Sequence, residues 1–207
     1  MLDELINAKD FAERVKYSGD TLSADSSFKT QNDEIDNYFS LNSMLVTPTV
    51  TPIIANSIEK VIHRLQIPES SVKAYVYASP EIQAECYAGN DTDCVIRLSS
   101  GLIDILENEE IEFVIGHELG HFLYDHGLAI KSNQNDSLEF LIQKRAQEVS
   151  ADRIGLLASE SLDVSIRAMM KTISGLTSKY LNFDVAAFLS QLSNTSNYKS
   201  QINTNSS

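Results

Sequence analysis

Glu109-Glu110-Ile111-Glu112-Phe113-Val114-Ile115-Gly116-His117-Glu118-Leu119-Gly120-His121 is the stretch on which the reading of this chain turns. The acidic residues Glu109, Glu110 and Glu112 stand where a helix N-terminus favours negative charge, with Asn108 as the expected cap. The apolar run Ile111, Phe113, Val114 and Ile115 follows, and the pattern predicts a helix from Glu109 to about Asp125. Residues four apart on a helix differ by about 40° in direction, so His117 and His121 project from one face and can bind one ion. Zinc suits two neutral imidazoles and a carboxylate, with a fourth position left for water. Glu118, next to the first histidine, is placed to take a proton from that water and pass it to a leaving amine. Such a short pattern also arises by chance, but its mid-helix setting and a carboxylate pair downstream favour the metal reading.

A third ligand has to be found further along. One class of zinc peptidase takes a histidine six residues beyond the second, with a glycine between. Here that position is Gly127, His126 falls one residue short and Tyr124 replaces the glycine, so that class is rejected. The other route is a glutamate from a following helix. Glu148-Val149-Ser150-Ala151-Asp152 meets the need, because Glu148 and Asp152 share a helix face. Glu148 is the candidate ligand. Asp152 is the candidate acceptor for the other ring N–H of a ligand histidine, which would fix its tautomer. Ala151 between them is small enough to let two helices approach closely. Taken alone, the pair would be an acidic helix face near Lys144, Arg145 and Arg153; the histidine motif before it tips the balance.

Together these two motifs resemble the gluzincin peptidases typified by the heat-shock protease HtpX and the CAAX prenyl-protein endopeptidases. The similarity covers roughly residues 55–160. Glu85-Cys86-Tyr87-Ala88-Gly89 resembles that family's Asn-Ala-Phe-Ala-Gly strand, and Val95 to Ile103 its strand leading into a Gly-Leu-Leu helix. His126 matches a histidine often found five residues beyond the second ligand. The resemblance implies His117, His121 and Glu148 as ligands of one zinc per chain, Glu118 as catalytic base and Asp152 behind the ligands. It also implies that Glu85, Cys86, Tyr87 and Ala88 form an edge strand that pairs with an extended peptide substrate. Two departures stand out. Glu85 replaces the usual Asn, and no histidine follows His126 to stabilise an oxyanion, which leaves Arg153, Arg167 and Tyr180 as alternatives.

The remainder of the chain sets the frame. Its 207 residues, 43% of them hydrophobic, suit one domain with a sizeable core. A net charge of -13, from 29 acidic against 16 basic residues, disfavours nucleic acid and anionic membranes as partners. No run of about 18 apolar residues suggests a membrane span, and Met1 to Asp10 lacks the apolar core of a secretory signal, so a cytoplasmic protein is expected. With only Cys86 and Cys94 there is no disulfide framework. The two could face each other across a hairpin, but two reduced thiols is the favoured reading.

A helix is expected over 2–17, a polar loop over 17–37, and a helix capped by Thr51-Pro52 with Ile54, Ile58, Val61, Ile62 and Leu65 inward. Strands follow at 72–78, 83–88 and 94–98, with a turn at Gly89–Asp93. Ser99-Ser100 should cap a short helix over 101–106, Asp136 a long helix to about Ser159 and Asp163 another, with a last helix over 183–192. His63 is read as an ordinary surface or core histidine, His126 as a helix-end residue, Met169-Met170 as core, and Tyr75 and Tyr77 as packing on one strand face. The expected fold is α+β: mostly helical and zincin-like, with a small antiparallel sheet packed by the motif helix. Residues 1–47 form an N-terminal helix-and-loop segment, regulatory or simply part of the fold. Residues 48–192 form the metallopeptidase domain, and 193–207 a polar, disordered tail.

The expected function is zinc-dependent endopeptidase cleavage of a peptide or unfolded protein. The rivals are a latent or inactive zinc-binding interaction module and, last, a metal-free helical partner-binding protein.

Overall fold

The computed structural model describes residues 39–88, 94–124 and 138–191. The expected helix over 2–17, the loop to 37, the turn at 89–93, His126, the Asp136 cap and the tail from 193 lie outside those residues. Within them the class is as expected, mostly helical with one small sheet. Its elements are β1 (Met44–Leu45), α1 (Pro52–Arg64), a single 3₁₀ turn (Glu69–Ser71), β2 (Val72–Tyr77), β3 (Ala84–Ala88) and β4 (Cys94–Ser99). Four helices follow: α2 (Ser100–Ile105), α3 (Asn108–Leu123), α4 (Leu138–Ser159) and α5 (Leu162–Ser174). Residues 185–191 are helical again.

The sheet is mixed rather than wholly antiparallel. Its order is β1-β2-β4-β3, with β4 parallel to β2 and antiparallel to β3. Chain order misled because the segment between β2 and β3 is not a tight hairpin. It carries the chain past the β4 position, and β4 then returns between the two. β3 is thereby left at one edge, and Met44–Leu45 pairs antiparallel with Val76 and Tyr75 at the other. No helix among the described residues is long and apolar enough to cross a membrane.

Helix α3 runs through the centre of the molecule. Ile111, Phe113, Val114, Ile115 and Leu119 are all buried in one core with Val61, Ile62 and Leu65 of the α1 region, Ile96 and Leu98 of β4, and Ala158 and Ala168 of α4 and α5. A helix apolar nearly all round is what a position enclosed by other elements requires. On the far side of the sheet Phe39 covers Tyr75, Val95 and Tyr87. The Arg97 guanidinium lies between the rings of Phe39 and Tyr77, 4.3 and 4.2 Å from their centroids. Tyr75 and Tyr77 thus share a face, as their alternation predicts.

Two helix starts differ from expectation, by one and two residues, each for a visible reason. α3 is capped by Glu107, not Asn108, because Glu110 turns back to accept the Glu107 N–H at 2.8 Å. α5 is capped by Ser161, whose hydroxyl accepts from Val164, and Asp163 in its first turn pairs instead with Arg167 at 3.1 Å. Thr51 is at the N-cap of α1, yet its hydroxyl accepts the Thr47 N–H and closes the preceding turn. Ser99 does cap α2, accepting from Leu102 at 3.1 Å.

Two carboxylates expected only to favour the helix dipole prove to be buried: Glu110 is 1% and Glu112 2% exposed. Glu110 meets the fully buried Lys171 of α5 at 2.6 Å, and Glu112 meets Lys60 at 3.1 Å and Arg64 at 2.5 Å, both on α1. A charge so enclosed persists only when it is paired.

Candidate metal centre

The α3–α4 crossing builds the site. Gly116 and Gly120 of α3 face Ala158 and Ala151 of α4, and Gly155 of α4 lies against Phe113. A methyl group added at Gly120 would stand 2.8 Å from the Ala151 Cα, so the two backbones touch where Glu148 and Asp152 flank the small residue. This is the close approach that Ala151 suggested.

Across that crossing His117, His121 and Glu148 bring one donor atom each to within 4.8 Å of one another. The Nε2 atoms of His117 and His121 are 3.1 Å apart. The Glu148 Oε2 lies 3.4 Å from the first and 3.7 Å from the second. Ligands about 2.0–2.1 Å from a tetrahedral zinc would be about 3.4 Å from one another, so the triangle has the right size for that ion. The His117 Nδ1 is 3.0 Å from the Asp152 Oδ1. Asp152 therefore accepts the Nδ1–H and leaves the His117 Nε2 with a lone pair facing the other donors. Two imidazole nitrogens and a carboxylate converging this way fit a borderline-soft divalent cation.

Electrostatics distinguish the members. Burial pushes the His117 pKa down, but its bond to Asp152 and the charges of Glu118, Asp152 and Glu148 outweigh that and raise it overall. His121 is lowered, by burial and by His117 beside it. Glu118 is pushed up to about 7, chiefly by burial; Glu148 and Glu85 add to the rise and His117 opposes it. A carboxyl poised near neutrality can both accept and return a proton.

Beside His117 and Glu118 opens a cavity of about 420 Å³, lined mainly by apolar groups that include Ile82, Ala84, Leu102, Met169, Ile173 and Phe188. No local pattern announces it, since its walls come from a loop, β3, α2, α5 and the last helical residues. Met169-Met170, read as plain core, divides: Met170 is buried, whereas Met169 lines this cavity. His63 is exposed on α1, away from the site.

β3 runs along the edge of the sheet beside the motif helix. The Glu85 carboxylate is taken by Arg97 at 3.1 Å and by Gln83 at 2.8 Å, so this side chain serves the outer face of the sheet. Cys86 is on the opposite, helix-facing side, where its contact with Cys94 and burial hold the thiol well above the usual range. Of the three alternative oxyanion groups, Arg167 is engaged by Asp163 and Glu110, and neither Arg153 nor Tyr180 lines the cavity.

Comparison with known proteins finds metallopeptidases. Residues 48–141 match the model of Peptidase family M48. The plastoglobule-localized metallopeptidase 48, chloroplastic, of Arabidopsis thaliana is 28% identical over an aligned stretch of 138 residues, gaps included, with 56% of this chain and 39% of that protein covered. Metalloprotease YcaL of Escherichia coli (strain K12) is 44% identical over 54 residues, 26% of this chain and 20% of its own length. Protease HtpX of Xanthomonas euvesicatoria pv. vesicatoria (strain 85-10) is 39% identical over 46 residues, 22% of this chain and 16% of its own. The matches thus cover less than half of each relative. The resemblance to the HtpX type holds. The family match ends at residue 141, before Glu148 and Asp152, so only the helix crossing brings those two to the histidines.

Proposed function

For a chain that carries a Peptidase family M48 segment over residues 48–141, we propose a zinc-dependent endopeptidase acting on extended peptides or unfolded protein segments. The observation that supports it best is the donor triangle of His117, His121 and Glu148, of a size that fits one tetrahedral ion. These three residues would hold one zinc per chain, and Asp152 keeps His117 in the tautomer that can bind it. Bound there, zinc would supply Lewis-acid polarisation of the scissile carbonyl and a more acidic water.

Glu118 takes the proton of the attacking water and returns it to the leaving amine nitrogen. The outer edge of β3, residues Glu85, Cys86, Tyr87 and Ala88, offers its backbone to an extended substrate as an added strand. The apolar cavity beside His117 and Glu118 receives a substrate side chain and keeps bulk water from the carbonyl. A second reading, a zinc-binding interaction module without turnover, draws on Arg167 being committed to Asp163 and Glu110, which leaves the oxyanion without that candidate.

The test begins with zinc content in protein purified without added metal. About one zinc per wild-type chain is expected, and clearly less in Glu148→Gln. Glu118→Gln should keep its zinc and lose cleavage of an unfolded protein substrate, whereas His117→Ala should lose both. Wild type without zinc after supplementation at neutral pH would end the metallopeptidase reading. Zinc without cleavage in the wild type would favour the interaction module.

A further inference from the structure

Cys86 and Cys94 lie beside the site, yet the proposed chemistry uses neither thiol. Cys86 on β3 stands opposite Ile96, and Cys94 on β4 stands opposite Ala88, so the two are diagonal neighbours on one face of the hairpin. That face is the one that packs on α3, and both cysteines belong to the core beneath it. Their Sγ atoms are 2.7 Å apart. A disulfide bond is about 2.03–2.05 Å long, so closure of roughly 0.7 Å would make one. Diagonal cross-strand partners have Cα atoms about 7–8 Å apart, at or just beyond the span a disulfide normally bridges. Bond formation would therefore tie β3 to β4 across that diagonal.

Access is unequal, since Cys94 is fully buried and Cys86 only partly. Cys86 also faces the core that it shares with α3, the helix that carries Glu118.

We propose that Cys86 and Cys94 are a reversible thiol–disulfide pair that locks the edge strand β3 onto β4 and so sets its distance from Glu118. The effect on substrate rests on the peptidase reading above; the bond itself does not. The oxidant is a small-molecule disulfide of the glutathione type. Cys86, the more accessible thiol, gives up its proton to solvent, slowly because that thiol is held above the usual range, then attacks one sulfur of that disulfide and expels the first thiolate. Cys94 then loses its proton, attacks the Cys86 sulfur and expels the second thiolate. One S–S bond forms in the protein and one breaks in the oxidant, which gains two electrons, and the two expelled thiolates take up the two protons. Excess thiol reverses each step.

The full chain carries only these two cysteines, so thiol counting is unambiguous. Protein treated with oxidised glutathione is denatured, labelled with N-ethylmaleimide and weighed intact, and its β3 amides are followed by hydrogen exchange. Expected are a fall from two labels to none, a mass lower by two hydrogens, and full recovery after reduced glutathione. Exchange over 84–88 should slow by about tenfold in the oxidised form, and the melting temperature should rise by roughly 5 °C from closure of the short loop. Cys94→Ala should stop at a glutathione adduct on Cys86 and show neither change. Two labels retained in excess oxidant, or a lasting glutathione adduct in the wild type, would overturn the pair. An oxidised form whose β3 exchange equals that of the reduced form would overturn the lock. None of these readouts needs turnover, so an inactive enzyme and a failed pair give different results.

Discussion

Gly120→Ala is the sharpest probe of how the site is built. The added methyl group would stand 2.8 Å from the Ala151 Cα, 3.2 Å from the Ile154 Cβ and 3.3 Å from the Ala151 carbonyl oxygen. Comfortable carbon–carbon contact begins at about 3.5 Å, and the nearest obstacle is backbone that cannot swing aside, so α3 and α4 must part by roughly 0.7 Å or more. Overpacking of this kind costs about 1–3 kcal/mol. Replacing a mid-helix glycine returns about 1 kcal/mol of helix propensity. The net loss of fold stability is therefore small, about 0–2 kcal/mol. The site should suffer more, because Ala151 lies between Glu148 and Asp152 and parting the helices draws both from the histidines. Loosened supporting groups typically lower metal affinity about 10–100-fold.

The assay is zinc affinity by competition with a chromogenic chelator, alongside the unfolding midpoint in EDTA. Gly175→Ala is the control: at φ 70° it strains the backbone, but its nearest contact is Ile82 at 3.7 Å and α4 need not move. It should lose about 1–2 kcal/mol of stability and no zinc affinity. Gly120→Ala with wild-type zinc affinity would refute the claim that helix spacing sets the ligand geometry.

Asp152→Ala should weaken zinc binding about 10–100-fold, and Asp152→Asn should recover part of it because its carbonyl oxygen can still accept the His117 N–H; equal affinity in both variants would argue against tautomer control. Lys171→Met leaves the buried Glu110 to its longer contact with Arg167, at 3.6 Å, and should cost about 3 kcal/mol in urea unfolding, with much of the loss recovered when Glu110→Leu is added. The metal-free protein should carry a pH signature from Glu118, whose folded pKa of about 7 exceeds the ordinary 4.5. The folded state then binds the extra proton between those values, so ionising Glu118 lowers stability as pH rises towards 7 and beyond. Glu118→Gln in EDTA should therefore be more stable than wild type at pH 8, by up to about 3 kcal/mol, and the gap should close as pH approaches 5. A gap independent of pH would mean that Glu118 is not held protonated by burial.

The parts legible in the sequence were those whose physics is local. His117, Glu118 and His121 share one helix, and Glu148, Ala151 and Asp152 share another, so a period of 3.6 is enough to group each set. Matching the two sets needed only a count of zinc ligands and the smallness of Ala151. What escaped depends on topology. The insertion of β4 between β2 and β3 follows from where a loop goes, which no period encodes. The cavity beside His117 is assembled from Ile82, Ala84, Leu102, Met169 and Phe188, residues unremarkable one by one. The caps moved because side chains such as Glu110 and Ser161 found bonds one or two residues away from the expected positions.

The acidic start of α3 shows what such a miss can conceal. Glu110 and Glu112 look like any charged first turn, yet they lie two residues apart and so point about 200° from one another around the helix axis. Glu110 is gripped by Lys171 of α5, and Glu112 by Lys60 and Arg64 of α1, on the other flank. Partners on opposite sides resist rotation of α3 about its own axis, which apolar packing alone resists only weakly on a helix that is buried nearly all round. A rotation error at the first turn would carry through a rigid helix to His117 and His121 and aim both imidazoles away from Glu148. The cost of burying two carboxylates makes them poor sources of stability. They serve better as a means of indexing the helix, which places the requirement for those charges in the geometry of the candidate metal site rather than in the fold as such.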